Sequence, residues 1–184
     1  KHNLKGILLN AYGIYADSAT SKIVAKLEKN ASPVKPIKRA EYLKKLSREH
    51  HHGLLLAWKI KTGFSKKIPA ERIKKYTDWF YSAHLKPHFQ EEEKYVFPIL
   101  GNDNILIQKA VQEHQQLAQL FNETDNLEMA LKQIAIDLVN HIRFEERILF
   151  NQIQAKATPE EITMIEALQT SESFIDNTTD PFWN

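Results

Sequence analysis

Apolar side chains recur every three to four residues along four long stretches of the 184-residue chain, the spacing that lines one face of an α-helix. The first stretch runs from about 39 to 61, with Leu43, Leu46, Leu54, Ala57 and Ile60 on its stripe. Gly63 reads as its C-terminal stop. The second starts after Pro69 and carries Ile73, Tyr76, Phe80, Leu85, Phe89, Val96 and Phe97 to about residue 100. Pro87 lies inside it and predicts a kink or a brief interruption, because proline lacks the N–H and clashes with the preceding turn. The Gly101-Asn102-Asp103-Asn104 turn then supplies a stop and an N-cap. The third helix is expected over about 105 to 121, and the fourth from about 126 to 154 with Thr124 or Asp125 as its cap. A short fifth helix begins at Thr158-Pro159-Glu160-Glu161, where Thr158 and Glu161 form a capping box.

These elements predict an all-α protein, an up-down-up-down four-helix bundle over residues 39–156. Residues 1–38 form an N-terminal extension ending in the Pro- and Ser-containing stretch 30–36, and residues 157–184 a short helix and tail. Phe174, Ile175, Phe182 and Trp183 in that tail are expected to dock onto the bundle or onto a partner. Composition narrows the chemistry further. Only 5 glycines and no cysteine are present, which disfavours Gly-rich nucleotide-binding sheets and excludes disulfides, Cys-zinc sites, iron–sulfur clusters and thiol nucleophiles. No stretch reaches the length of a membrane span and no apolar leader core is evident, so the expectation is a cytoplasmic protein with no membrane partner. The net charge of +2 conceals an asymmetry: residues 1–75 hold 18 Lys/Arg against 5 Asp/Glu. Without a nucleic-acid-binding motif, basic helices packed beside acidic ones are the preferred explanation and a nucleic-acid partner is disfavoured.

Seven of the eight histidines fall between 50 and 141. Two segments repeat one another, His88-Phe89-Gln90-Glu91-Glu92-Glu93-Lys94-Tyr95-Val96-Phe97 and His141-Ile142-Arg143-Phe144-Glu145-Glu146-Arg147-Ile148-Leu149-Phe150. In each, a histidine and a glutamate one turn apart share an otherwise apolar helix face. Glu49-His50 and Glu113-His114 lie on the apolar stripes of the first and third helices. In an up-down bundle, residues at one height are equidistant from the intervening turn, and His50, the midpoint of His88 and Glu92, His114, and the midpoint of His141 and Glu145 meet this condition at or near each expected turn. Four imidazoles and two carboxylates converging in a dry core would cost several kcal/mol each if left unpaired, and metal coordination offsets that cost. Imidazole with carboxylate suits iron, manganese or zinc. Two octahedral ions need about twelve donor positions; the side chains and one bridging oxygen fill about ten, leaving room for a small ligand. Glu93 and Glu146, about 100° further round their helices, are expected to play little part in holding the metal.

At these residues the chain resembles the hemerythrin-like (HHE cation-binding) domain family. The resemblance covers about 40–155 and rests on Glu49-His50, the stretch from His88 through Glu92, Glu93, Val96 and Phe97 to Pro98, Glu113-His114, and His141 with Glu145. It implies a four-helix bundle around a non-haem di-iron centre, two iron ions bridged by oxide or hydroxide, with His88, Glu92, His114, His141 and Glu145 as ligands. The first ligand is His50 or His51, since His50, His51 and His52 run together; His50 keeps the preceding glutamate and is preferred. His84, one turn before His88, is either a further ligand or donor to the site, or a surface histidine at the Pro87 kink. Oxygen-carrying hemerythrins place two histidines one turn apart on the third helix, whereas the residue four after His114 is Ala118. The resemblance therefore implies binding of a small ligand such as O2, NO or peroxide in stress response, sensing or iron handling, with any electron donor external. The alternative is a helical scaffold in which the metal is structural and the basic half engages a partner.

Overall fold

The computed structural model describes residues 38–168 and 174–184. The extension expected over 1–38 lies outside these residues except for its last position. Every regular element among the described residues is helical, without a strand. A single 3₁₀ turn, Glu41–Leu43, leads into helix α1, Lys44–Ser65. The next rod is helical from 70 to 99 but changes pitch along its length. It comprises α2 (Ala70–Phe80), a π turn (Tyr81–Leu85), α3 (Lys86–Glu91), a second π turn (Glu92–Val96) and a 3₁₀ turn (Phe97–Ile99). Helix α4 is Ile105–Phe121. The fourth rod consists of α5 (Leu127–Phe144), a third π turn (Glu145–Leu149) and α6 (Phe150–Lys156). Helix α7, Pro159–Leu168, follows.

Local chemistry accounts for most of the boundaries. Asn104 caps α4 by accepting the Leu106 N–H through its side chain at 2.9 Å. Thr158 and Glu161 close the expected capping box, with Thr158 N–H to Glu161 Oε2 at 2.8 Å and Glu161 N–H to Thr158 Oγ1 at 3.3 Å. Pro87 does not break its rod. It sits in the first turn of α3, directly after a π turn whose wider hydrogen-bond ring accommodates the missing N–H.

Three expectations need correction. Neither Thr124 nor Asp125 caps α5. The N-cap position is Asn126, and the Glu123 carboxylate instead collects the N–H groups of Thr124, Asp125 and Asn126. Gly63 does not stop α1 but lies buried within it, where an added Cβ would stand 2.8 Å from both Ile73 Cδ1 and Phe182 Cε2. The left-handed residue after the helix is Lys67, at φ 58°. Leu54, placed on the core stripe by spacing alone, is 37% exposed.

Helix α5 packs against α1, α2 and α4, and α2 against α1. Between them lies a core that includes Leu56, Ile60, Ile73, Phe80, Leu117, Phe121, Leu131, Ile134 and Leu138. The tail closes one end. Phe182 is buried against Ile73 and Gly63, and Lys59, itself buried, pairs with Asp176 at 2.5 Å and lies 3.7 Å over the Trp183 ring. Phe174 packs on the same cluster while Ile175 is 77% exposed, so docking involves three of the four apolar tail residues.

Candidate metal centre

Each rod delivers its polar residues to the interior at one level. His50 comes from α1, His88 from α3, His114 from α4 and His141 from α5. Glu92 and Glu145 are each the first residue of a π turn, a local widening that is frequent at functional sites. All six are buried, and the two glutamates are fully so. They form two groups that share both carboxylates: His50, His88, Glu92 and Glu145, and His114, His141, Glu92 and Glu145. Within each group the ligand atoms lie within 4.8 Å of one another. His50 Nε2 is 3.0 Å from Glu145 Oε2 and 3.5 Å from Glu92 Oε1. His88 Nε2 is 3.3 Å from Glu92 Oε1, His141 Nε2 3.3 Å from Glu145 Oε2, and His114 Nε2 3.5 Å from Glu92 Oε2.

Around these six runs a ring of outer carboxylates. Glu49 of α1 accepts from His88 Nδ1 at 2.8 Å, and Glu93 of the second rod from His114 Nδ1 at 2.7 Å. Glu113 of α4 accepts from His141 Nδ1 at 3.0 Å, and Glu146 of the fourth rod from His50 Nδ1 at 2.7 Å. Each rod thus hands a carboxylate, adjacent in sequence to its own inward ligand, to the imidazole of the next, and the fourth closes on the first. A carboxylate on Nδ1 fixes that nitrogen as the donor and leaves the Nε2 lone pair facing inward.

The chemistry of this donor set decides what it fits. With Nδ1 protonated, four Nε2 acceptors and four carboxylate oxygens face one another with no donor among them. His50 Nε2, His88 Nε2 and all four oxygens of Glu92 and Glu145 are buried without a hydrogen bond, and His114 Nε2 stands 3.0 Å from His141 Nε2. Lone pairs so arranged require positive charge between them. In the metal-free protein, protons supply it. Burial alone would depress the imidazoles, but Glu92 and Glu49 lift His88 to about 9, and Glu145 and Glu113 lift His141 to about 9. His50 is raised well above its usual value against burial, by Glu145, Glu146 and Glu92. Burial likewise opposes ionisation of the glutamates, yet the histidines hold Glu92 well below the carboxylate range and Glu145 at about 2. Metal ions in the same place satisfy the same lone pairs without those protons.

A family model, the hemerythrin HHE cation-binding domain, matches residues 43–153. The chain belongs to the hemerythrin HHE cation-binding family. Comparison with curated proteins and with solved structures returned no match. The hemerythrin domain is all-helical among its described residues, and its two buried His/Glu groups are suited to a metal cation.

Of the residues singled out from sequence, the hemerythrin core brings together His50, His88, Glu92, His114, His141 and Glu145. His51 and His84 are not among them. His51 is exposed on α1, one position round the helix from His50, with its ring 5.8 Å from that of His52. His84 packs between the rings of Trp79, Phe80 and Phe174, in the π turn before α3. Sequence reasoning passed over the outer role of Glu93 and Glu146, because a 100° offset carries a residue off its own helix's inner face. That offset is what aims it at the neighbouring helix. The adjacency of an acid to an inward ligand in all four rods was the available signal.

Proposed function

We propose that the domain is an up-down-up-down four-helix bundle holding two metal ions, as a non-haem di-iron centre. Glu92 and Glu145 would be shared between the two ions, His50 and His88 would serve one of them, and His114 and His141 the other. The observation that carries this reading is the buried, acceptor-only core in which two carboxylates belong to two histidine pairs at once. Two nitrogens and two shared oxygens per ion leave coordination positions open, which is the mark of a working site. Iron in such a site supplies reversible binding or reduction of O2, NO or peroxide. The chain's own residues would hold the geometry: the outer carboxylates orient the imidazoles, and Phe89, Phe97 and Phe150, stacked on His114 and His50, exclude water. A role in oxidative or nitrosative stress, sensing or iron handling fits that chemistry, with electrons from an external donor; the cytoplasm is the proposed location.

The test is metal analysis of protein expressed with iron, combined with its absorption spectrum in air. Two irons per chain and near-UV and visible bands that shift with azide or NO are expected. A colourless protein with one zinc or none would overturn the reading. That outcome favours the second reading, a scaffold with a structural metal, for which the exposed Lys61, Lys66, Lys67 and Lys75 around the α1–α2 turn offer a basic surface.

A further inference from the structure

The site has an internal two-fold correspondence. Lys45, Glu49 and His50 of α1 recur as Lys109, Glu113 and His114 of α4, and His88, Glu92, Glu93 and Phe97 recur as His141, Glu145, Glu146 and Phe150. Much of the environment obeys it. Lys45 pairs with Glu49, which holds His88, and Lys109 pairs with Glu113, which holds His141. Phe150 stacks on His50 and its counterpart Phe97 on His114, with ring planes 18° and 24° apart; Phe89, whose counterpart is Ile142, adds a second ring to His114. One stacked ring and two of the four outer arms are therefore common to both ion positions.

The outer pair Glu146 and Glu93 departs from the correspondence. Glu146 accepts from Ser47 Oγ at 2.7 Å as well as from His50, and its other oxygen pairs with Arg39 at 2.7 Å. Arg39 also binds the Glu146 carbonyl at 2.6 Å and Gln154 Oε1 at 3.1 Å, lies 5.1 Å over Phe150, and has a side chain only 7% exposed. Glu93 has none of this. Its side chain is 42% exposed, the position corresponding to Ser47 is Val111, and among the described residues no Lys or Arg lies within ion-pair distance of it.

We infer that the two ion positions differ in lability: Arg39, through Glu146, is a positioning residue that makes the His50/His88 position slow to exchange. The His114/His141 position releases and accepts its ion first. An ion leaves when one of its imidazoles swings away. His50 swings only if a carboxylate fastened at both oxygens moves with it, whereas His114 carries an exposed carboxylate with no other partner among the described residues. Carboxylates acting through a ligating histidine change metal affinity by about 10–100-fold, which sets the scale of the expected difference. Arg39 lies before the first matched residue, 43, so the lock belongs to this chain's approach to α1.

This inference rests on the two-ion reading, and the experiment separates the two. The full chain is loaded with Co(II), its stoichiometry measured, and its release into excess EDTA followed by the loss of visible Co(II) absorption. Two ions leaving in two phases of equal amplitude, with rates roughly ten-fold or more apart, are expected. Arg39→Ala and the milder Ser47→Ala should accelerate the slow phase alone, and Arg39→Lys should restore part of the lost retardation. Glu93→Ala should accelerate the fast phase alone. A single phase for two bound ions, or a slow phase unmoved in both Arg39→Ala and Ser47→Ala, overturns the inference while leaving the two-ion reading intact. Fewer than two Co(II) per wild-type chain removes the two-ion reading and the inference with it.

Discussion

Nδ1 of every imidazole in the centre is engaged by an outer carboxylate, and this makes protons and metal ions direct competitors for the inner lone pairs. His88 and His141 rise to about 9 in the metal-free fold against an unfolded value near 6.5, so their stabilising contribution is complete below pH 6.5 and is lost as pH climbs through about 9. Glu145 falls to about 2 from 4.5, so its contribution is complete above pH 4.5 and is lost as pH drops toward 2. Metal-free protein should therefore be most resistant to urea between about pH 4.5 and 6.5 and weaken toward pH 9, while metal affinity rises over that upper range. Urea midpoints at pH 5.5 and 9, with competition titrations at both, check this; a metal-free midpoint unchanged between them would refute it. The ligands also divide by role. Glu92→Ala or Glu145→Ala should deplete both ions at limiting free metal, whereas His114→Ala should leave a form with one ion, as read by metal content per chain.

At the scale of elements, π turns and close-packed glycine matter more than helix propensity. Two of the three π turns begin on Glu92 and Glu145, and after each of them Phe97 or Phe150 returns to the core to stack on an imidazole. Gly63 lets the tail ring of Phe182 approach α1 within the space of a methyl group. Exchanging glycine for alanine inside a helix ordinarily gains about 1 kcal/mol, but overpacking against a ring costs about 1–3 kcal/mol. Gly63→Ala should thus lower stability in the wild-type background. In a Phe182→Ala background, which by itself costs about 3–5 kcal/mol, the penalty of Gly63→Ala should shrink. Thermal or urea unfolding of the four proteins of this cycle measures the coupling; additivity would mean that the tail does not rest on Gly63.

For the whole molecule, the apolar core and the metal centre are stacked along the same helices, so the fold has support that does not depend on the ions. Leu56, Ile60, Phe121, Leu131 and Leu138 are buried together in a cluster that contains none of the six inward His and Glu residues. Removal of metal by chelation should leave the far-UV helical signal in place while lowering the melting temperature. Restoring an ion at a hundred-fold excess over its dissociation constant should return about 2.7 kcal/mol per site. Collapse of the helical signal on chelation would show instead that the core cannot stand alone.

Helical periodicity, the punctuation by Pro69, Asn104 and Thr158, and the repeated His-x3-Glu spacing lie within single segments of chain, so the sequence by itself determined the helical class, most of the element boundaries and five of the six inward residues, leaving the sixth between His50 and His51. It also carried the match to the hemerythrin family. What depends on the relation between segments was decided only in three dimensions. His50 and His51 are neighbours in sequence, and burial on one side of α1 separated them. Gly63 acquired its meaning from Phe182, more than a hundred residues away, and His84 its aromatic surroundings from Phe174. The outer ring is the clearest case. A glutamate beside a ligand points away from its own helix's inner face, and only the placement of the next helix turns that outward direction into a hydrogen bond on the neighbouring imidazole.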